Sequence, residues 1–153
     1  MDVVLFFKKE ELLVNAIQKE SFTPELQNTL FNGFRRNAVA RLGVDQITDA
    51  VAFVARDIEG NHVGSVVVQL FWGGLHIKYL FVEEAYRGEG IAKMLVEEAL
   101  TYGRQHNATF AFVETMSYLN VVAFYERMGF HLEFTREGFT HNNSFHYLRK
   151  NLL

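Results

Sequence analysis

The hydrophobic pattern changes character about a third of the way along the chain. Before residue 50 it is helical and broken. Leu12, Leu13, Ala16 and Ile17 fall at helical spacing within residues 8–20, which predicts a first helix there. Thr23-Pro24 then reads as an N-cap followed by proline at the first helical position, and the helix it opens is expected to stop at Gly33. Residues 36–50, RNAVARLGVDQITDA, are polar and read as loop or weak helix. From residue 51 the period shortens. VAFVARD reads as a strand, IEGN as a turn, and HVGSVVVQLFW as a long β-branched strand. Gly73-Gly74 is a hairpin signal, and LHIKYLFV, residues 75–82, is a third strand. Leu75, Ile77, Tyr79 and Phe81 alternate with His76, Lys78, Leu80 and Val82, and this second set turns apolar toward its end.

Past Gly90, Ile91, Ala92, Leu95, Val96, Ala99 and Leu100 lie on one face of a helix that ends near His106-Asn107. ATFAFVET is a further strand, and YLNVVAFYERM a short helix stopped by Gly129. Residues 130–136 and 144–150 are strands around a polar loop. The order α-α-β-β-β-α-β-α-β-β, an antiparallel meander leading into a β-α-β unit, predicts an α+β fold. Its mixed, mostly antiparallel sheet has about six to seven strands, with helices on its faces. With 153 residues and no linker or repeat, residues 1–153 are expected to form one domain.

Composition narrows the chemistry. The chain has no cysteine, so a disulfide scaffold, a thiolate metal site and a cysteine nucleophile are excluded. Three histidines near the C-terminus, His131, His141 and His146, lack ligand-like spacing, and no metal is expected. A net charge of −3 argues against nucleic acid as the main partner. The first residues carry neither the basic stretch nor the small-residue cleavage site of a leader, and no apolar run approaches the ~18 residues of a membrane span. A cytoplasmic setting without membrane contact is the expectation.

One short stretch carries chemistry. In AYRGEGIAKML, residues 85–95, two glycines stand where a strand gives way to a helix. The first amides of a helix have no intrahelical partner and sit at the positive end of its dipole. Glycines there let an anion approach the backbone, and Arg87 can add a charged contact. A simple tight turn explains the same glycines. No Gly-Lys-Ser/Thr follows, which disfavours a nucleotide P-loop.

Thirty residues later stands LNVVAFYERMGF. The pair of segments resembles the GNAT family of N-acetyltransferases. The acetyl-CoA signature V-x-x-x-x-R-x-x-G-x-G/A is matched by Val82, Arg87, Gly90 and Ala92, with alanine where glycine is commoner. The second signature, N-x-x-A-x-Y-x-x-x-G-F, is matched by Asn120, Ala123, Tyr125, Gly129 and Phe130. The resemblance covers residues 51–150 and implies acetyl-CoA as cosubstrate, bound where two adjacent parallel strands splay apart. It implies that Leu80, Phe81 and Val82 pair with the pantetheine arm. Arg87 and the amides of Gly88, Gly90, Ile91, Ala92 and Lys93 would hold the pyrophosphate, and Asn120 would contact the cosubstrate. Tyr125 would be the general acid, although a packed aromatic explains it too. Asn120 also reads as an N-cap. Glu114, at a strand end, is the leading candidate base, or else a solvated charge; His76 is expected to lie far from the thioester. The partner expected is a small-molecule or peptide amine, its pocket shaped by the first helices, residues 36–50 and the 137–143 loop. A homodimer is plausible by analogy. A catalytically silent acyl-CoA-binding module and a phosphate site for another ligand are the competing readings.

Overall fold

The computed structural model describes residues 6–8, 12–14 and 17–153. The chain divides into two compact units, Met1–Asp45 and Gln46–Leu153.

The first unit corrects the expected helix over 8–20. Phe6–Lys8 (β1) and Leu12–Val14 (β2) form a small antiparallel ladder, with Phe7 opposite Leu13. Two turns of helical spacing are too few to hold a helix without caps, and Ile17–Thr23 has none. Ala16 lies outside the described residues. Helix α1, Pro24–Leu42, begins as expected: the Thr23 hydroxyl accepts from the Leu26 amide at 3.1 Å. It does not stop at Gly33. That glycine keeps a helical backbone, and its cost of about 1 kcal/mol relative to alanine is borne by the surrounding turns. The stop is Gly43, at φ 75°, whose amide donates to the Val39 carbonyl at 2.9 Å. Residues 36–42 of the ambiguous 36–50 stretch are therefore helix, and Arg35 Nε reaches Asp45 Oδ2 at 2.6 Å just beyond its end.

The second unit is a six-stranded sheet. Its strands are β3 (Val51–Arg56), β4 (His62–Phe71), β5 (Gly74–Val82), β6 (Phe110–Met116), β7 (His131–Phe139) and β8 (Asn143–Asn151), in spatial order β3-β4-β5-β6-β8-β7. Only β5–β6 is parallel, joined through helix α2, Ile91–Gln105. The fold is α+β with a mixed, mostly antiparallel sheet. The β4–β5 turn is Trp72-Gly73, both at positive φ, so Gly74 already belongs to the strand. A Cβ on Gly74 would lie 2.7 Å from Phe110 Cζ, which is why that position admits no side chain.

Helix α2 packs its predicted face on the sheet. Leu95, Val96, Ala99 and Leu100 join Val66, Val68, Leu75 and Ile77 in one buried core. Gly103 brings the helix close: a Cβ there would lie 2.9 Å from Leu75 Cδ2. The short helix α3, Val122–Arg127, adds Tyr125 to the same core, together with Val113 and Leu148. The opposite face of the central strands carries His76, Phe112 and Glu114, all half-buried.

Candidate active site

Strands β5 and β6 pair from Gly74–Phe110 to Ile77–Val113 and no further, although β5 runs on to Val82 and β6 to Met116. The cause lies on the other side of β5. Its register against β4 jumps from Ile77–Val68 to Tyr79–Val67, so Lys78 is an extra, bulged residue. A bulge bends its strand and adds twist, which turns β5 away from β6. It also exchanges the strand's two faces. Leu75 and Ile77 point into the core before it, Leu80 and Val82 after it, which explains the late apolar turn of the second set. From Lys78 to Val82 the edge of β5 toward β6 has no partner strand among the described residues.

The split opens into a cavity of about 840 Å³, within the usual size of a small-molecule site. Leu80, Phe81 and Val82 form one wall, and Leu119, Val121, Phe124 and Met128 another. Arg87, Gly88, Gly90, Ile91, Ala92 and Lys93 close one end. Gly88 and Gly90 sit at φ 82° and 80°, and among the described residues no atom beyond the adjoining backbone lies within 4 Å of where either Cβ would stand. The first bond that closes α2 runs from the Met94 amide to the Gly90 carbonyl at 3.1 Å. The amides of Ile91, Ala92 and Lys93 therefore have no intrahelical acceptor, and the first turn holds no acidic residue. Glycine-cleared space, free amides and the dipole together have the chemistry that suits an anion. Arg87 braces this loop. Its Nε donates to the Val82 carbonyl at 3.0 Å and its guanidinium lies 5.7 Å from the Phe81 ring centre.

The Y-x-x-x-G-F spacing has a concrete cause. It is a Schellman ending of α3: the Phe130 amide donates to the Tyr125 carbonyl at 3.0 Å and the Gly129 amide to that of Glu126 at 2.9 Å, with Gly129 at φ 90°. The motif's hydrophobic contact is Phe130 against Tyr125, 5.3 Å apart and edge-on. Phe124 holds the Tyr125 ring from another side at 5.1 Å. Tyr125 is only 3% exposed, and burial pushes its phenol up to about 12. Its ring does not line the cavity, whereas its neighbours Phe124 and Met128 do. The hydroxyl has no hydrogen-bond partner among the described residues, yet no buried side-chain polar atom there is left unpaired, so it reaches an accessible edge. Asn120 is exposed at φ 51°, between the lining residues Leu119 and Val121. Its expected place as N-cap is taken by Val121.

Glu114 is not a free strand-end charge. Its Oε2 lies 2.7 Å from His76 Nε2, and the His76 ring stacks flat on Phe112, centres 4.6 Å apart and planes 4° apart. His76 stands one step before the split and Glu114 one step past it. Residues 38 apart in the chain meet here because β5 and β6 pair in parallel with His76 opposite Phe112. The only trace of this in the sequence is a polar residue within each of two apolar strands. A second cluster joins Ser65 Oγ to His62 Nε2 at 2.6 Å and His62 Nδ1 to Glu83 Oε1 at 2.9 Å. It has the connectivity of a nucleophile, base and carboxylate. But Ser65 lies mid-strand between β3 and β5, its neighbours' amides engaged in ladders, so the donors an oxyanion needs are absent.

The family of the chain follows from this arrangement and its relatives. The model of the acetyltransferase (GNAT) family matches residues 15–130, and the chain belongs to that family. It is similar to the acetyltransferase Atu2258 of Agrobacterium fabrum, 33% identical over 92 residues, which are 60% of this chain and 66% of that protein. The chain spans about two thirds of the length of the curated relatives it matches. A crystal structure of a protein from Agrobacterium tumefaciens assigned as an acetyltransferase superposes with a TM-score of 0.79 at 25% identity, covering 90% of this chain and 99% of that one. A Bacillus anthracis protein assigned as a streptothricin acetyltransferase, crystallised with acetyl coenzyme A, shares the fold with a TM-score of 0.61 at 20% identity over 68% of this chain and 63% of its own.

Proposed function

We propose that this chain is an N-acetyltransferase that moves the acetyl group of acetyl-CoA to a primary amine by direct attack. The observation that carries the reading is the split between β5 and β6, with a glycine-cleared anion seat at its mouth. The residues present fit the cosubstrate. The seat suits a pyrophosphate, since a Cβ at Gly88 or Gly90 would fill the space an anion needs. Arg87 and Lys93 place positive charge beside it. The unpaired edge of Leu80, Phe81 and Val82 can take the amide-bearing pantetheine arm as an added strand. From Val82 back to Ile77 that edge measures about 17 Å at 3.3 Å per residue, which leads the arm from the seat to the split. Asn120 borders the same channel. Bound there, acetyl-CoA would be like the acetyl coenzyme A held by the Bacillus anthracis protein of the same fold.

At the split, a backbone amide on the unpaired edge of β5 polarises the thioester carbonyl and holds the oxyanion of the tetrahedral intermediate. Tyr125 serves the leaving group. A phenol held near 12 keeps its proton throughout the working pH range. Full transfer to a thiolate of pKa about 8.5 is uphill by roughly 3–4 units. Tyr125 therefore acts as the C–S bond breaks, first donating a hydrogen bond to sulfur and then its proton as charge builds up out of water. The acceptor amine is cationic at neutral pH and must lose a proton before attack. Glu114, across the sheet from Tyr125, belongs to that half of the reaction.

A silent acyl-CoA-binding module is the second reading, favoured by one observation: Tyr125 lies behind the cavity wall. CoA release with acetyl-CoA and polyamines, aminoglycosides, amino acids or peptide amines separates the two. Amine-dependent release supports transfer. Acetyl-CoA binding without release on any amine supports the module.

A further inference from the structure

The amine's proton needs a destination, and the face of the sheet opposite Tyr125 provides one. We propose that His76 is the proton acceptor and that Glu114 positions it; this deepens the acetyltransferase reading and rests on it. Glu114 carries no donor as a carboxylate, so the 2.7 Å contact assigns the ring hydrogen to His76 Nε2. Nδ1 is then the ring's basic nitrogen, and it has no hydrogen-bond partner among the described residues. Stacking on Phe112 and the bond to Glu114 fix the ring in two directions. Both side chains are partly open, 25% and 28% exposed, so a proton taken up can pass on to water. The pair straddles the point where the strands part; neither residue lines the cavity itself, and a thioester led along β5 to that point would bring the attacking amine to the pair.

The charged and titratable neighbours on that face leave the pair available. Lys78 of β5 gives its Nζ to Gln69 Oε1 at 3.2 Å, and Gln69 is the β4 partner of His76. On β8, Tyr147 stands opposite Glu114. Arg149 stands opposite Phe112, with its guanidinium over Phe110 at 4.1 Å and its Nε on Asn151 Oδ1 at 3.0 Å. No described lysine or arginine pairs with Glu114. The Glu114 carboxylate places negative charge beside the ring, which draws an ammonium toward the pair.

The proton balance is complete. The ammonium gives one proton to Nδ1, which releases it to water. The nitrogen lone pair then forms the N–C bond, and collapse of the intermediate breaks C–S. Sulfur takes a proton from Tyr125, and water returns to Tyr125 the second proton shed by nitrogen. Acid and base lie on opposite faces of the sheet, so neither quenches the other.

The test compares wild type with His76→Gln, Glu114→Gln and, as a control at the end of α2, His106→Gln. Acetyl-CoA affinity is measured by calorimetry, and CoA release with the amines named above as a function of pH. His76→Gln should bind acetyl-CoA within twofold of wild type and lose about 100-fold in kcat. Its rate should recover toward alkaline pH, where the amine arrives unprotonated. Glu114→Gln should lower kcat about tenfold with the KM for acetyl-CoA unchanged and the acid limb of the profile displaced, and Glu114→Asp should regain part of it. His106→Gln should behave as wild type. In NMR spectra the His76 ring signals should shift when acetyl-CoA is added. A His76→Gln enzyme within twofold of wild-type kcat, or His76 signals unmoved at saturating acetyl-CoA, overturns the proposal. A wild-type protein that binds no acetyl-CoA overturns the acetyltransferase reading instead, so the two failures are distinct.

Discussion

Replacing Tyr125 with phenylalanine removes one oxygen from a ring that is 3% exposed, and its effects on folding and on chemistry separate by pH. The hydroxyl has no hydrogen-bond partner among the described residues, so the variant should match wild-type stability at pH 8 to within about 0.5 kcal/mol. At high pH the two should part. Burial raises the folded pKa from 10.0 to about 12, because the charged phenolate is the form that burial penalises. The stabilisation is therefore fully present below pH 10 and is lost as pH rises from there through 12. At about 1.4 kcal/mol per unit the total is about 3 kcal/mol, of which about 1 kcal/mol is gone at pH 11. Guanidinium unfolding of both proteins at pH 8 and pH 11 reads this directly: wild type should lose about 1 kcal/mol more than Tyr125→Phe. Turnover should fall roughly 100-fold in the variant with acetyl-CoA affinity unchanged. Identical pH dependence of unfolding would mean the phenol is not buried as described. Unchanged turnover would remove Tyr125 from the reaction.

Two glycine substitutions test the supporting structure. Gly129→Ala forces a side chain onto φ 90° and against Lys150 Nζ, which donates to the Met128 carbonyl at 2.8 Å. About 1–2 kcal/mol of backbone strain and about 1 kcal/mol for the lost bond predict 2–3 kcal/mol of destabilisation by chemical denaturation. Turnover should fall more than acetyl-CoA affinity, because the same turn seats Tyr125. Gly103→Ala should destabilise by about 1–2 kcal/mol despite alanine's better helix propensity, since its Cβ would meet Leu75 at 2.9 Å in the core; thermal unfolding checks the sign.

The second unit was readable because its signals are dense and local. Alternation, the Gly73-Gly74 hairpin signal and an amphipathic run from Ile91 each specify one element, although the turn itself falls one residue earlier, at Trp72-Gly73. The glycine-marked strand–helix junction was equally legible, although its letters alone fit a tight turn as well as an anion site. Three features were not. The ladder of β1 and β2 uses three residues per strand, too short for its period to show against a helical pattern. Gly33 and Gly43 look alike as letters, and only the second adopts positive φ. The Lys78 bulge left a trace in the late apolar turn of β5, but an inserted residue becomes visible only against its partner strand. The His76–Glu114 pair is hidden for the same reason: it exists through register, which the composition of neither strand specifies.

The most direct test is a calorimetric titration of acetyl-CoA into wild type and Gly90→Ala, with circular dichroism to confirm that both are folded. Wild type should bind one equivalent. Gly90→Ala should bind at least tenfold more weakly, about 1.4 kcal/mol, because its methyl group enters the space kept clear at φ 80°. Absence of binding to wild type at millimolar acetyl-CoA, or equal affinity in the two proteins, would contradict the account.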